Sequence, residues 1–205
     1  MGILRSFVSR ISRAVRAIIA PPKNLHLAQA QALAEAKGAS PQEEGMVSGV
    51  VLANTFLDLT LELVRAKLDE VFPGEFLPPR DQGNFVVDGA APEQFFINAH
   101  MPGAAGMFFL NNVPGPYGEM SNFAHAIADA SMRRDAAAQR CWLSVDLIHK
   151  ASNHEKAYRF IERVLAKFAP ADAAFLVHPS KLITLRFDDD LRVRLAKAEG
   201  ILPNL

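Results

Sequence analysis

Cys141-Trp142-Leu143-Ser144-Val145-Asp146-Leu147-Ile148-His149 alternates apolar and polar side chains, then meets Ser152-Asn153-His154-Glu155. Side chains alternate across a strand, so the pattern predicts a half-buried strand that feeds a capped helix. Leu143, Val145 and Leu147 share a face that helices should cover, while Trp142, Ser144, Asp146 and Ile148 share the other. Cys141, at the strand start beside Trp142, reads as a small buried hydrophobe rather than a nucleophile.

Working outward, residues 153–168 read as the helix. Phe175 to His178 and Leu182 to Phe187 read as a hairpin around Pro179-Ser180. Asp188-Asp189-Asp190 opens a last helix, where acids suit the positive end of the dipole, so the run is helix punctuation rather than a metal cluster. Asp188–Arg192 and Asp190–Arg194 are spaced to pair.

On the N-terminal side, a helix is expected over about 119–138. The pieces 85–87, 94–100 and 107–110 look strand-like, and Gly- and Pro-bearing turns divide them. Asn111 to Gly118 reads as the longest loop of this region. Ser40-Pro41-Gln42-Glu43 forms a capping box, which predicts one long helix from about Pro41 to Phe72. Its apolar run from Met46 to Val64 contains Asp58 and Glu62, and a charge at mid-bilayer costs roughly 2.5 kcal/mol or more, so a core-packed helix is expected rather than a membrane span. A short Ala-rich helix precedes it at 25–37. The fold expected is α+β: an antiparallel or mixed sheet of five or six strands covered on one face by helices, with an N-terminal helical extension.

Composition narrows the classes. The chain has 205 residues, half of them hydrophobic, 21% charged, with zero net charge. This is the profile of a globular chain and not of a disordered one. A neutral chain has no global pull toward nucleic acid, and no nucleic-acid partner is expected. One cysteine excludes an intrachain disulfide and thiolate-rich zinc sites; it fits a reducing compartment.

Residues 1–23 stand apart from the domain expected over 24–205. No acid occurs before Glu35. Arg5, Arg10, Arg13 and Arg16 interleave with Leu4, Phe7, Val8, Ile11, Val15 and Ile18, whose spacing is helical. A basic amphipathic stretch suits an anionic membrane surface, a targeting peptide, or a helix docked on the domain or a partner, and the sequence leaves all three open. Met1-Gly2 with Ser6 also fits a short acylation pattern that often arises by chance. Pro21-Pro22 ends the stretch.

From Phe95 to Gly200 the order of motifs resembles a bacterial family of uncharacterised α+β domains. The resemblance rests on the Trp142 to Asp146 strand, on Ala157-Tyr158-Arg159 at a helix start, and on His178-Pro179-Ser180 in a hairpin. It implies a fold and carries no catalytic residue.

Register then places side chains. Phe95, Ile97 and Ala99 oppose Phe96, Asn98 and His100, and Thr184 shares a face with Arg186. If these strands are neighbours, Asn98, His100, Ser144, Asp146, Thr184 and Arg186 form one polar face, flanked by Trp142 and Phe96. An ordinary solvated sheet face accounts for such a set; so does a ligand or partner surface, with His100 and Asp146 as an acid–base pair in the enzymatic version. Asn112 and Tyr117 could line a cleft, although in a Pro/Gly loop they more simply shape the turn. The other histidines lack ligand spacing, and no metal or cofactor is expected. Neither glycine loop has phosphate-binding context, and Ser144 and Ser180 lack a nucleophile-elbow sequence. The function expected is a non-enzymatic protein-interaction module, cytoplasmic and peripheral to a membrane, whose partner is an unknown protein or a second copy. The alternative is a small hydrolase-like enzyme using the polar face or the 111–119 loop.

Overall fold

Ser48-Gly49-Val50-Val51-Leu52-Ala53 forms strand β1, and all six residues are buried. The structure, a computed structural model, describes residues 47–76, 84–91, 93–101, 104–118, 127–148 and 154–205. The extension 1–23, its membrane-contact residues, the 25–37 segment and the 40–43 capping box lie outside these residues.

The long helix expected over 41–72 is therefore corrected within the described residues: a strand at 48–53, then helix α1 at Leu61–Val71. Thr60 caps α1, its hydroxyl accepting from the Leu63 N–H at 3.2 Å. A central strand buried on both faces reads as an unbroken apolar run, which periodicity cannot tell from a buried helix.

The remaining elements are β2 (Phe85–Asp88), β3 (Gln94–Met101), β4 (Ala104–Pro114), α2 (Ala130–Ala137), β5 (Cys141–Leu147), α3 (His154–Phe168), β6 (Phe175–His178), a 3-10 turn (Pro179–Lys181), β7 (Ile183–Arg186), α4 (Asp189–Ala196) and α5 (Ile201–Asn204). The fold is α+β, with one antiparallel sheet in the order β2-β3-β4-β5-β1-β6-β7. Seven strands replace the five or six expected, because β1 inserts between β5 and β6. β4 is also longer than expected: Asn111 and Asn112 belong to it and not to a loop. The helix expected at 119–138 is seen at 130–137, and 119–126 is outside the described residues.

Helices α1, α3, α4 and α5 cover one sheet face. Their core includes Val51, Phe95, Ile97, Phe108, Leu110, Leu143, Val145, Phe160, Ile161 and Leu202. Phe108 and Phe160 rings meet at 4.4 Å, and burying one such ring is worth about 1.5–3 kcal/mol. Gly49 lets α3 and α5 approach β1: a Cβ there would lie 2.7 Å from Leu165 Cδ1 and 2.9 Å from Leu202 Cδ1.

Two charged side chains finish helix ends. Arg192 donates to the carbonyls of Ala166, Ala169 and Pro170 at 2.7–3.1 Å, closing α3, so it does not take the Asp188 pairing its spacing suggests. Asp188 instead caps α4 through the Leu191 N–H at 2.8 Å. Asp190 and Arg194 do approach, at 4.0 Å. Glu162, fully buried, accepts from the N–H groups of Gly200 and Leu202 at the start of α5.

The opposite sheet face is not bare. Val50, Leu52, Trp142, Phe175 and Val177 pack there against Tyr117, Ile127, Met132 and Ala136, so cover on one face alone is corrected to cover on one face and part of the other. At the β2 edge, Arg65 Nη2 of α1 donates to the Val86 carbonyl at 3.0 Å, occupying a group that an added strand would need.

Candidate functional site

Rows of facing residues on the second face build the candidate site. One row runs Val87–Phe96–Phe109–Asp146–Ser48, the next Gln94–Asn111–Ser144–Val50–Val177–Thr184. A third carries Phe85, Asn98 and Met107.

Where the first two rows meet, five polar side chains form a buried network. Asp146 Oδ2 accepts from Asn111 Nδ2 and from Ser144 Oγ, each at 2.7 Å, and Oδ1 accepts from Ser48 Oγ. Asn111 Nδ2 also reaches Ser144 Oγ at 3.1 Å, and Gln94 Nε2 donates to Asn111 Oδ1 at 2.7 Å. All five residues are buried. A buried carboxylate is tolerable only when so provided with donors. The network ties β3, β4, β5 and β1 together in one register.

Beside it the face is apolar and partly open. Phe85 and Phe96 rings lie 5.9 Å apart, and Phe96 and Phe109 6.0 Å, an aromatic ladder across three adjacent strands. The three rings are half-buried and Val87, at the edge, is 42% exposed.

The predicted polar face thus divides. Ser144 and Asp146 come together, with Ser48, Gln94 and Asn111 that the sequence reading did not single out. Asn98 is buried one row away, beside the ladder. His100 is exposed and faces Ala105, whereas Asp146 faces Phe109, so β4 separates the two and they form no acid–base pair. Thr184 and Arg186 sit on β7, with β1 and β6 between them and β5. Arg186 is exposed, 3.4 Å from Asp135 and over the Phe175 ring. Asn112 points to the helix face, where Nδ2 donates to the Leu57 carbonyl at 2.6 Å. Tyr117 is buried, edge-on to Trp142 at 5.3 Å. The alternation Phe109–Asn111 carried the missed signal, which the Asn-Asn-Val-Pro-Gly turn chemistry obscured.

Under the helices lies a second polar cluster. His178 is fully buried; its Nε2 is 3.0 Å from Tyr158 Oη and its Nδ1 is 3.3 Å from Ser180 Oγ. Burial, then the nearby Lys181 charge, lower the His178 pKa to about 4, and burial raises that of Tyr158. Cys141 is buried, donates to the Ala53 carbonyl, and burial raises its pKa, as expected for a packing residue. Among the described residues no group of three or more His, Cys, Asp or Glu could hold a metal, and no helix is long and apolar enough to cross a membrane.

Comparison with protein-family models, curated proteins and solved structures returned no match.

Proposed function

We propose that the protein is an interaction module whose working surface is the Phe85–Phe96–Phe109 ladder, held at an anionic membrane surface by residues 1–20. The ladder carries this reading. Three rings on adjacent strands, continued by Met107 and an exposed Val87, make an apolar strip at a sheet margin. Such a strip is the kind of surface a partner covers. Its rows hold no lysine or arginine. A nucleic-acid surface with stacking aromatics would need cations for the phosphates, so the partner that fits is an uncharged, apolar protein surface. The polar network beside it serves the platform: its donors and acceptors are satisfied by one another, and it fixes the strands that present the rings.

The test compares the wild type with Phe96→Asn/Phe109→Asn and with Leu182→Asn in quantitative affinity capture and sedimentation equilibrium. The ladder variant should lose a partner, or a self-association, that the Leu182 variant keeps. Identical capture and identical mass for all three proteins would exclude the ladder as the working surface.

A further inference from the structure

We propose that residues 4–18 of the chain itself occupy the ladder: their apolar stripe lies on Phe85, Phe96 and Phe109 and keeps partners off until an anionic surface draws the segment away. This rests on the ladder being the working surface, and it names what covers that surface and what uncovers it. Charge is segregated along the chain in a way that suits the contact. Residues 1–34 hold no acid and carry Arg5, Arg10, Arg13, Arg16 and Lys23. Residues 81–132, which include β2, β3 and β4, hold no lysine or arginine and carry Asp81, Asp88, Glu93, Glu119 and Asp129. Asp88 and Glu93 are exposed at the closed end of the β2–β3 hairpin, which carries Phe85 and Phe96, and neither forms an ion pair with a described residue. Arginines that flank an apolar stripe on the ladder therefore meet unpaired carboxylates and no opposing cation.

Size and reach agree. Leu4, Phe7, Val8 and Ile11 are spaced to share one side of a helix, and two turns of helix are about 11 Å long. β2 and β4, at the two ends of the ladder, are two strand spacings apart, about 10 Å. The described chain begins at Val47, next to Ser48, and Ser48 ends the row to which Phe96 and Phe109 belong. Phe109 is two strand spacings from Ser48, again about 10 Å. The roughly 30 positions from Ile18 to Val47 cover on the order of 30 Å as a coil, more than the contact needs.

Tethering lowers the affinity required. A segment on so short a tether is presented at an effective concentration on the order of 1 mM, so an intrinsic Kd of about 0.1 mM keeps the ladder about nine-tenths covered. An anionic membrane competes for both halves of the segment. Its headgroups attract the arginines more strongly than two solvated carboxylates do, and its acyl chains take the apolar stripe. The same residues thus hold the protein at the membrane and leave the ladder free there for a partner.

The experiment measures by mass spectrometry how fast a maleimide modifies the full chain carrying Val87→Cys or Met107→Cys on the strip. Leu182→Cys, beside β7 at the opposite edge of the sheet, is the control, and the buried Cys141 gives the background. Adding Val8→Asp/Ile11→Asp should raise both strip rates about tenfold, the inverse of the coverage, and leave the Leu182→Cys rate unchanged. Phosphatidylcholine vesicles containing phosphatidylserine should raise the strip rates likewise, and vesicles of phosphatidylcholine alone should not. Strip rates untouched by Val8→Asp/Ile11→Asp overturn the proposal, and so does protection that grows with protein concentration, which would put a second copy on the ladder. Strip rates that respond to the substitutions but not to the anionic vesicles keep the docking and overturn release by a membrane. The ladder's role as a partner surface is judged apart from all of these, by capture with Phe96→Asn/Phe109→Asn.

Discussion

Ser48 donates a hydrogen bond to Asp146, its directly facing residue on the neighbouring strand and 98 positions away in the chain. The contact joins the first described strand to the strand whose alternation decided the fold. It also places a carboxylate in the sheet interior, where Asn111 and Ser144 complete its donors. Removing the acceptor leaves three buried donors facing a void. Asp146→Ala should therefore cost roughly 2–4 kcal/mol in urea unfolding, and Ser48→Ala about 1 kcal/mol. An Asp146→Ala protein as stable as wild type would show that the network contributes nothing to the platform.

Gly49 and Val145 test the helix-covered face. A side chain at Gly49 meets Leu165 and Leu202 below 3.0 Å, so Gly49→Val should cost ~3 kcal/mol or more by overpacking. Val145 is fully buried, and Val145→Asp should prevent folding because the charge has no partner. Circular dichroism and solubility read both outcomes. A soluble Val145→Asp protein with an unchanged Tm would shift the β5 register by one residue.

Strands that alternate were legible in the sequence. β5, β3 and the β6–β7 hairpin lie where alternation put them, with Leu143, Val145, Phe95 and Ile97 under the helices. β1 was not legible, because both its faces are buried and no polar residue marks its period until Ser48 is paired with Asp146. The polar face failed for a related reason. Alternation tells which face a residue takes, but not which strands are neighbours. β1 and β6 separate Ser144 from Thr184, and β4 separates Asp146 from His100. Asn111 was concealed by the turn-forming residues that follow it, although its strand continues to Pro114.

The membrane reading rests on the acid-free pattern around Arg5, Arg10, Arg13 and Arg16. A chain beginning at Asn24 should keep the fold's Tm and lose affinity for vesicles containing anionic lipid. Each arginine near such a surface is worth about 1 kcal/mol, so Arg10→Glu/Arg13→Glu/Arg16→Glu should weaken binding by two orders of magnitude or more. Binding by the full chain should also weaken with salt. Vesicle sedimentation at two ionic strengths measures all of this. Equal binding by full and shortened chains, or none by either, would end the membrane reading and leave the ladder reading standing.

Two buried groups give the fold opposite responses to acid. His178 titrates near 4 in the folded protein because burial, and then Lys181, disfavour its charged form. In the unfolded chain it titrates near 6.5. Between about pH 6.5 and 4 the unfolded state binds the extra proton, so stability falls as pH falls through this window, by at most ~3 kcal/mol. Glu162 acts in the other sense. Burial raises its pKa against the opposing pull of the backbone N–H groups it caps. Its contribution is fully present below the unfolded value of about 4.3 and is lost as pH rises through the folded one. Urea unfolding from pH 7 to 4 should separate the two. His178→Asn should flatten the loss of stability toward acid, and Glu162→Gln should steepen it. A His178→Asn curve parallel to that of the wild type would mean that the imidazole titrates within the fold as it does in the unfolded chain, and that burial does not hold it neutral below pH 6.5.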